Sequence, residues 1–175
     1  QLSPWARPNP AIVGYEYRDH CNRVGNWRLI EAMEKYNIPG TVSLSVAMCD
    51  HFPEMIDTVN ELGWEFFSHG VYNTRYAYGM DRAQERQMLQ YTIDRIKAQT
   101  GQQTRGYLAP ALTHTIHTIE LLAELGFTYS CDLFQDDQPQ PLNVPGNPLV
   151  SMPYSLEVND HYAFNVFGLS PPPKL

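Results

Sequence analysis

Cysteine is scarce in this chain of 175 residues: Cys21, Cys49 and Cys131 are far apart, odd in number and never in C-x-x-C spacing. That pattern excludes a disulfide framework, and the three read as reduced, mostly buried small hydrophobes of an intracellular protein. Basic charge is also thin, with 12 Lys plus Arg against 19 Asp plus Glu, a net charge of −7 and no basic cluster beyond a scattered pair. Nucleic acid and anionic lipid are therefore not expected as partners. No apolar run approaches the roughly 18 residues of a membrane span, so no membrane association is expected. Residues 1–10 lack the basic region and apolar stretch of a secretion signal, and the expected location is cytoplasmic. Neither a P-loop, GxGxxG, GxSxG nor HExxH occurs, which removes the standard nucleotide-fold, serine-hydrolase and zincin readings.

The residues that are abundant describe a globular α/β protein. Hydrophobic residues make up 43% and charged residues 18%, against a usual charged share of about 25%. The length suits one domain and falls short of the roughly 250 residues of an eight-unit α/β barrel. Residues 1–14 form a Pro-rich lead, 15–168 the α/β domain and 169–175 a Pro-rich tail. Within the domain one grammar repeats: a helix-period segment, a Gly, then a short run of Val, Phe, Tyr or Leu. Helices are expected over 27–37, over 52–62 capped by Asp50, over 82–100 capped by Asp81 and stopped by Gly101, and from Thr113 or Thr115 to Leu125. Strands are expected over 41–48, 64–68, 105–109, 127–131 and 149–152, with 132–148 a loop. Such a series predicts parallel strands alternating with helices, as a sheet or a partial, distorted barrel.

In parallel α/β folds functional groups gather at the carboxyl ends of strands. His69, Pro110 with Thr113, Asp136 with Asp137, and Asn159 with Asp160 all fall at such ends. Gly70 lets the chain turn directly after His69 and leaves the imidazole at the rim, where it is either a structural His or an acid–base group. Glu65 shares its strand face by the period of two, and either orients that imidazole or is a surface acid. Asp19, His20 and Cys21 resemble metal ligands in type, but adjacent residues rarely bind one ion. His114 and His117 read as solvent-side histidines in the first turn of a helix unless carboxylates join them. Asp136 and Asp137 are turn formers or site acids.

Taken in order, Tyr17-Arg18-Asp19, Asn22 to Arg28, Glu65 to Arg75, Arg105 to Thr113, Asp132 with Asp136-Asp137-Gln138-Pro139, and Pro153 to Asp160 resemble the polysaccharide deacetylase superfamily. More narrowly they resemble its branch of metal-independent allantoinases and cyclic imidases. The resemblance implies a distorted (β/α) barrel with fewer than eight units and hydrolysis of an amide carbon–nitrogen bond. It implies His69 as general acid or base, with Asp160 or Asp136 orienting it or the ring nitrogens of a substrate. Asn73 and Asn159 would bind a cyclic ureide or imide edge, Arg23 a carboxylate or carbonyl, and Glu65 and Pro110 would line the substrate site. The cofactor is either none or a divalent metal, and Asn73 in place of the second His of the family's H-x-x-x-H pair counts against the metal. The expected substrate is a small-molecule or glycan amide. A partial barrel with an uncovered edge also predicts a homo-oligomer. The blocks predict a chain that starts after one family strand and stops before another. The competing class is a non-catalytic binding or assembly subunit, or an inactive fragment, that keeps the fold.

Overall fold

Local signals account for most of the elements in the structure, a computed structural model that describes residues 12–155. Helix α1 (Ile12–His20) passes through one π turn (Cys21–Gly25) into α2 (Asn26–Lys35), with His20, Gly25 and Asn26 all in the right-handed helical region. The helix expected from residue 27 is thus the second half of a longer one. Strand β1 (Thr41–Leu44) is followed by a short helix, α3 (Met48–His51), where the expected strand would have continued. Asp50 lies inside α3 and pairs with Arg95 at 2.6 Å. It therefore does not cap α4 (Pro53–Glu61), which starts on a Pro at its first position instead, where the missing N–H costs nothing.

Strand β2 (Glu65–Ser68) leads through a loop to α5 (Arg82–Thr100), the longest helix described. Asp81 accepts from the Gln84 N–H at 2.9 Å while the Gln84 side chain accepts from the Asp81 N–H at 3.1 Å. This reciprocal capping box starts the helix, and Gly101 at φ 73° ends it, a left-handed position that favours Gly. After β3 (Gly106–Tyr107) and a 3-10 turn (Pro110–Leu112) comes α6 (Thr118–Glu124). Neither expected starter caps it: His117 holds the N-cap position without a side-chain cap, Thr115 accepts from the His117 N–H at 3.0 Å in the turn before the helix, and the Thr113 hydroxyl donates to the Pro110 carbonyl at 2.9 Å. Strands β4 (Tyr129–Ser130), β5 (Gln140–Pro141) and β6 (Val150–Ser151) complete the elements.

The six strands form one sheet in the order β1-β2-β3-β4-β6-β5. All neighbours are parallel except β5, which pairs antiparallel with β6 and lies inside the segment expected to be a loop. Side chains alternate across β2. Phe66 packs into a core with Ile30, Leu44, Ile56 and Ile96, and the Ser68 hydroxyl reaches Thr92 on α5 at 2.8 Å. Glu65, Phe67 and His69 therefore share the other face. Tyr129 lies on that face too, edge to face with Phe67 at 6.2 Å between ring centroids. A Cβ on Gly106 would lie 2.1 Å from the Tyr129 ring. Among the described residues no helix is long and apolar enough to cross a membrane.

Candidate active site

The site begins where the parallel ladder runs out. The Leu108 N–H still donates to the Ser68 carbonyl at 3.0 Å, and the Cys131 N–H to the Tyr107 carbonyl at 2.9 Å. One peptide further on, side chains replace strand backbone as partners. His69 Nδ1 donates to the Leu108 carbonyl at 2.7 Å, and the N–H of Ala109 donates to Asp132 Oδ1 at 2.7 Å. The carbonyl and the N–H belong to the same peptide group, so a ring from β2 and a carboxylate from β4 hold its two sides.

Imidazole chemistry follows from that geometry. A carbonyl only accepts, so Nδ1 must carry a proton and Nε2 is the atom left to exchange one. Nε2 lies 2.9 Å from Asn73 Oδ1 at the exposed rim. The Asn73 amide can accept from the imidazolium through its oxygen or, turned over, donate to the neutral ring. Gly70 makes the approach possible: its φ is 69°, and a Cβ there would meet Pro110 Cγ at 3.0 Å. Beside it, Ala111 (φ 52°) and Leu112 (φ 55°) hold left-handed conformations, which non-Gly residues adopt at a cost of roughly 1–3 kcal/mol where the surroundings impose them.

Asp132 was not singled out on its own by sequence, yet it is the buried acid of the site. Its Oδ2 accepts from His114 Nε2 at 2.8 Å and from the Ser130 hydroxyl at 3.1 Å. The carboxylate is fully buried and His114 is 21% exposed. His114 is thus not a solvent-side residue of a helix turn but the partner of a carboxylate. The available signal was the Asp one residue beyond a strand, together with His114 between two threonines. Nearby, buried Glu85 accepts from the hydroxyls of Thr115 and Thr118, both at 2.5 Å, tying α5 to the start of α6. The Tyr107 hydroxyl is buried without a partner among the described residues. Burial first, then the charges of Asp132 and Glu85, push its ionisation far up.

Among the described residues, none of the other expected site residues has a described hydrogen bond to His69 except Asn73. Glu65 stands at the amino end of β2, about 13 Å of strand from His69 at roughly 3.3 Å per residue. It accepts from the Tyr129 hydroxyl at 3.1 Å and so does not orient the imidazole. Asp136 is exposed, and its oxygens accept from the Gln138 N–H at 3.1 Å and the Gln140 side chain at 3.0 Å. It serves its own turn rather than His69. Its carboxyl is held below the usual range, first by the Gln138 N–H and then by Asp137. Pro110 is buried against Gly70. Arg23 pairs with Asp19 at 2.7 Å and lines a groove of about 920 Å³ with Tyr15, Asn22, Met48 and Phe52. Asn159 and Asp160 lie outside the described residues.

A divalent centre needs several hard or borderline ligands converging on one point. Among the described residues no three His, Cys, Asp or Glu side chains are grouped to hold one. Asn73, four residues after His69, places an amide on Nε2. The described residues therefore do not fit a three-ligand metal site.

Comparison with known proteins agrees with this geometry at the level of fold and family. Residues 16–130 match the family model described as polysaccharide deacetylase. A peptidoglycan deacetylase from Helicobacter pylori is 32% identical over 141 residues, covering 80% of this chain and 47% of that protein. The crystal structure of a Mycobacterium smegmatis protein classed as a polysaccharide deacetylase superposes with a TM-score of 0.78 at 30% identity, covering 87% of this chain and 54% of that one. The structure of PuuE allantoinase gives 0.75 at 31% identity, covering 83% and 48%. The chain thus spans about half the length of these relatives.

Proposed function

We propose, from the premise that this chain belongs to the polysaccharide deacetylase family, hydrolases of carbon–nitrogen bonds other than peptide bonds, that its site hydrolyses a cyclic amide or ureide. The observation that carries the reading is His69 held at Nδ1 by the Leu108 carbonyl, with Nε2 beside the Asn73 amide. Nε2 takes a proton from the attacking water, the hydroxide adds to the amide carbon, and the proton passes to the nitrogen as the C–N bond breaks. The product is one ring-opened molecule that carries both the new carboxyl group and the freed nitrogen, and His69 returns to its neutral form. An imide or ureide edge alternates donors and acceptors, which suits a primary amide such as Asn73. Arg23, and Asn159 and Asp160 beyond the described residues, are proposed as further substrate contacts. The likeness to PuuE allantoinase supports this choice. The relative named peptidoglycan deacetylase supports a second substrate class, N-acetylated glycans.

The test is a panel of allantoin, succinimide, a dihydropyrimidine and N-acetylated sugar oligomers, with and without chelator. Turnover of a cyclic substrate is expected, and His69→Ala should reduce it by about 10²–10⁴-fold. A loss below about tenfold would remove His69 from the chemistry. Turnover confined to sugars would replace the cyclic reading by deacetylation, and activity abolished by chelator would contradict a site that works without an ion. No turnover of any member would favour a non-catalytic role.

A further inference from the structure

We propose that Asp132 is a positioning residue for His69, acting through the Leu108–Ala109 peptide. The role rests on the functional reading above only in what it does for rate; the contact itself is a property of the fold. Asp132 Oδ1 takes the N–H of Ala109 at 2.7 Å, and the carbonyl of that same peptide takes the Nδ1 proton of His69 at 2.7 Å. An amide is a resonance unit. Negative charge on its N–H side draws the proton toward the acceptor, increases electron density on the carbonyl oxygen and makes that oxygen a better acceptor. A hydrogen bond from an N–H to a carboxylate is also roughly twice as strong as a neutral one. The buried acid thus stabilises the Nδ1–H tautomer and leaves Nε2 with the lone pair, without touching the ring.

The surroundings support the assignment. Asp132 is buried where the dielectric is low, and His114 and Ser130 supply donors to its second oxygen, so Oδ1 remains committed to Ala109. Ser68 and Cys131 anchor the residues before the peptide to the neighbouring strands, which keeps the peptide from rotating. His114 and Ser130 hold the carboxylate, the carboxylate holds the peptide, and the peptide holds the ring.

The experiment reads the His69 ring nitrogens by 15N NMR in the whole chain, without substrate, in wild type and in Asp132→Asn. The neutral wild-type ring should be the Nδ1–H form. In Asp132→Asn the Nε2–H form should rise by about fivefold, because the charge-assisted bond is lost. A folded Asp132→Asn protein with an unchanged tautomer ratio would overturn the proposal. A second variant, His114→Phe, keeps the charge but strips a donor from it, so more of the charge falls on Ala109. Its amide proton should move downfield while the tautomer stays Nδ1–H, and an unmoved resonance would also overturn the idea, whether or not Asp132→Asn folds. Ser130→Ala should leave the tautomer as in wild type. With an active substrate, Asp132→Asn should lower kcat about tenfold through the weaker bond to the Ala109 N–H, with KM nearly constant. A tautomer shift in a protein that hydrolyses nothing would defeat the functional reading and leave the positioning role standing.

Discussion

The two ends of this sheet carry the same ingredients, an acid and a neutral partner, in opposite uses. At the amino end Glu65 accepts from Tyr129, Phe67 packs edge-on against the Tyr129 ring, and Gly106 leaves the space that the ring fills. The run of contacts closes on itself. Burial first, then Glu65, pushes the Tyr129 ionisation up, so its phenol stays a neutral donor. At the carboxyl end Asp132 accepts from Ala109, and the next bond leads on to His69 and out to Nε2 beside exposed Asn73. That run ends on an atom able to exchange a proton with solvent. What separates a plug from a candidate site is therefore where the last polar atom faces, not the presence of an acid.

Breaking the plug should have the largest effect on stability. Gly106→Val would place a Cβ 2.1 Å from Tyr129 Cζ and 2.4 Å from its hydroxyl oxygen. The ring cannot move without leaving both Glu65 and Phe67, so overpacking of about 1–3 kcal/mol is expected. At about 2–4 °C per kcal/mol for a chain of this size, thermal unfolding should show it plainly. A midpoint within a degree or so of wild type would mean that the amino end is loosely packed and that the contrast with the other end is overstated.

How much of this was readable without coordinates depends on the range of the signals. Helix α5 was legible because Asp81, Gln84 and Gly101 each act within four residues of the helix end they define. His69 at the end of β2 was legible for the same reason, with Gly70 marking the turn. Strand β5 was not, since Gln140 and Pro141 have no strand pattern of their own and pair only because β6 returns beside them. The helical passage through Gly25 was hidden because Gly reads as a stop, whereas here it stays right-handed inside a π turn. The Asp132–His114 pair joins residues 18 apart. Asp132 and Asp136 look alike in sequence. The Ala109 N–H, left without a strand partner where the ladder ends, draws Asp132 inward together with His114 and Ser130.

Tyr129→Phe sharpens the comparison more gently. It removes the Tyr129 hydroxyl that donates to Glu65 and should cost about 1 kcal/mol, near the low end for a half-buried acceptor left unsatisfied, with kcat close to wild type. It should also change the alkaline limb. The Tyr129 phenol is raised from 10.0, so the unfolded chain ionises first and stability falls as pH rises past that value. Cys131 adds the same sign, with burial first, then Asp132 and Glu65, raising its thiol from 9.0 to about 11. Urea midpoints measured from pH 8 upward should fall in both proteins above about 9, and less steeply in Tyr129→Phe beyond about 10. Equal slopes would show that the phenol is not protected at the amino end.

The smallest change is expected from Asp136→Ala, although Asp136 and Asp132 both follow β4. The described contacts of the Asp136 oxygens, to Gln138, Gln140 and the adjacent Asp137, stay within its own turn, and neither His69 nor the 108–109 peptide depends on them. The rate should stay within about twofold of wild type, as for a surface position away from the core. The turn that leads into β5 should loosen, read as faster hydrogen exchange at Gln140. Because its folded carboxyl sits below 3.8, Asp136 stabilises the fold above that pH and stops doing so as acid protonates it. The variant should therefore differ most from wild type near neutrality and converge with it in acid. A tenfold fall in rate instead would make Asp136 part of the chemistry and move the working acid from the buried end of the Ala109 bond to the exposed loop.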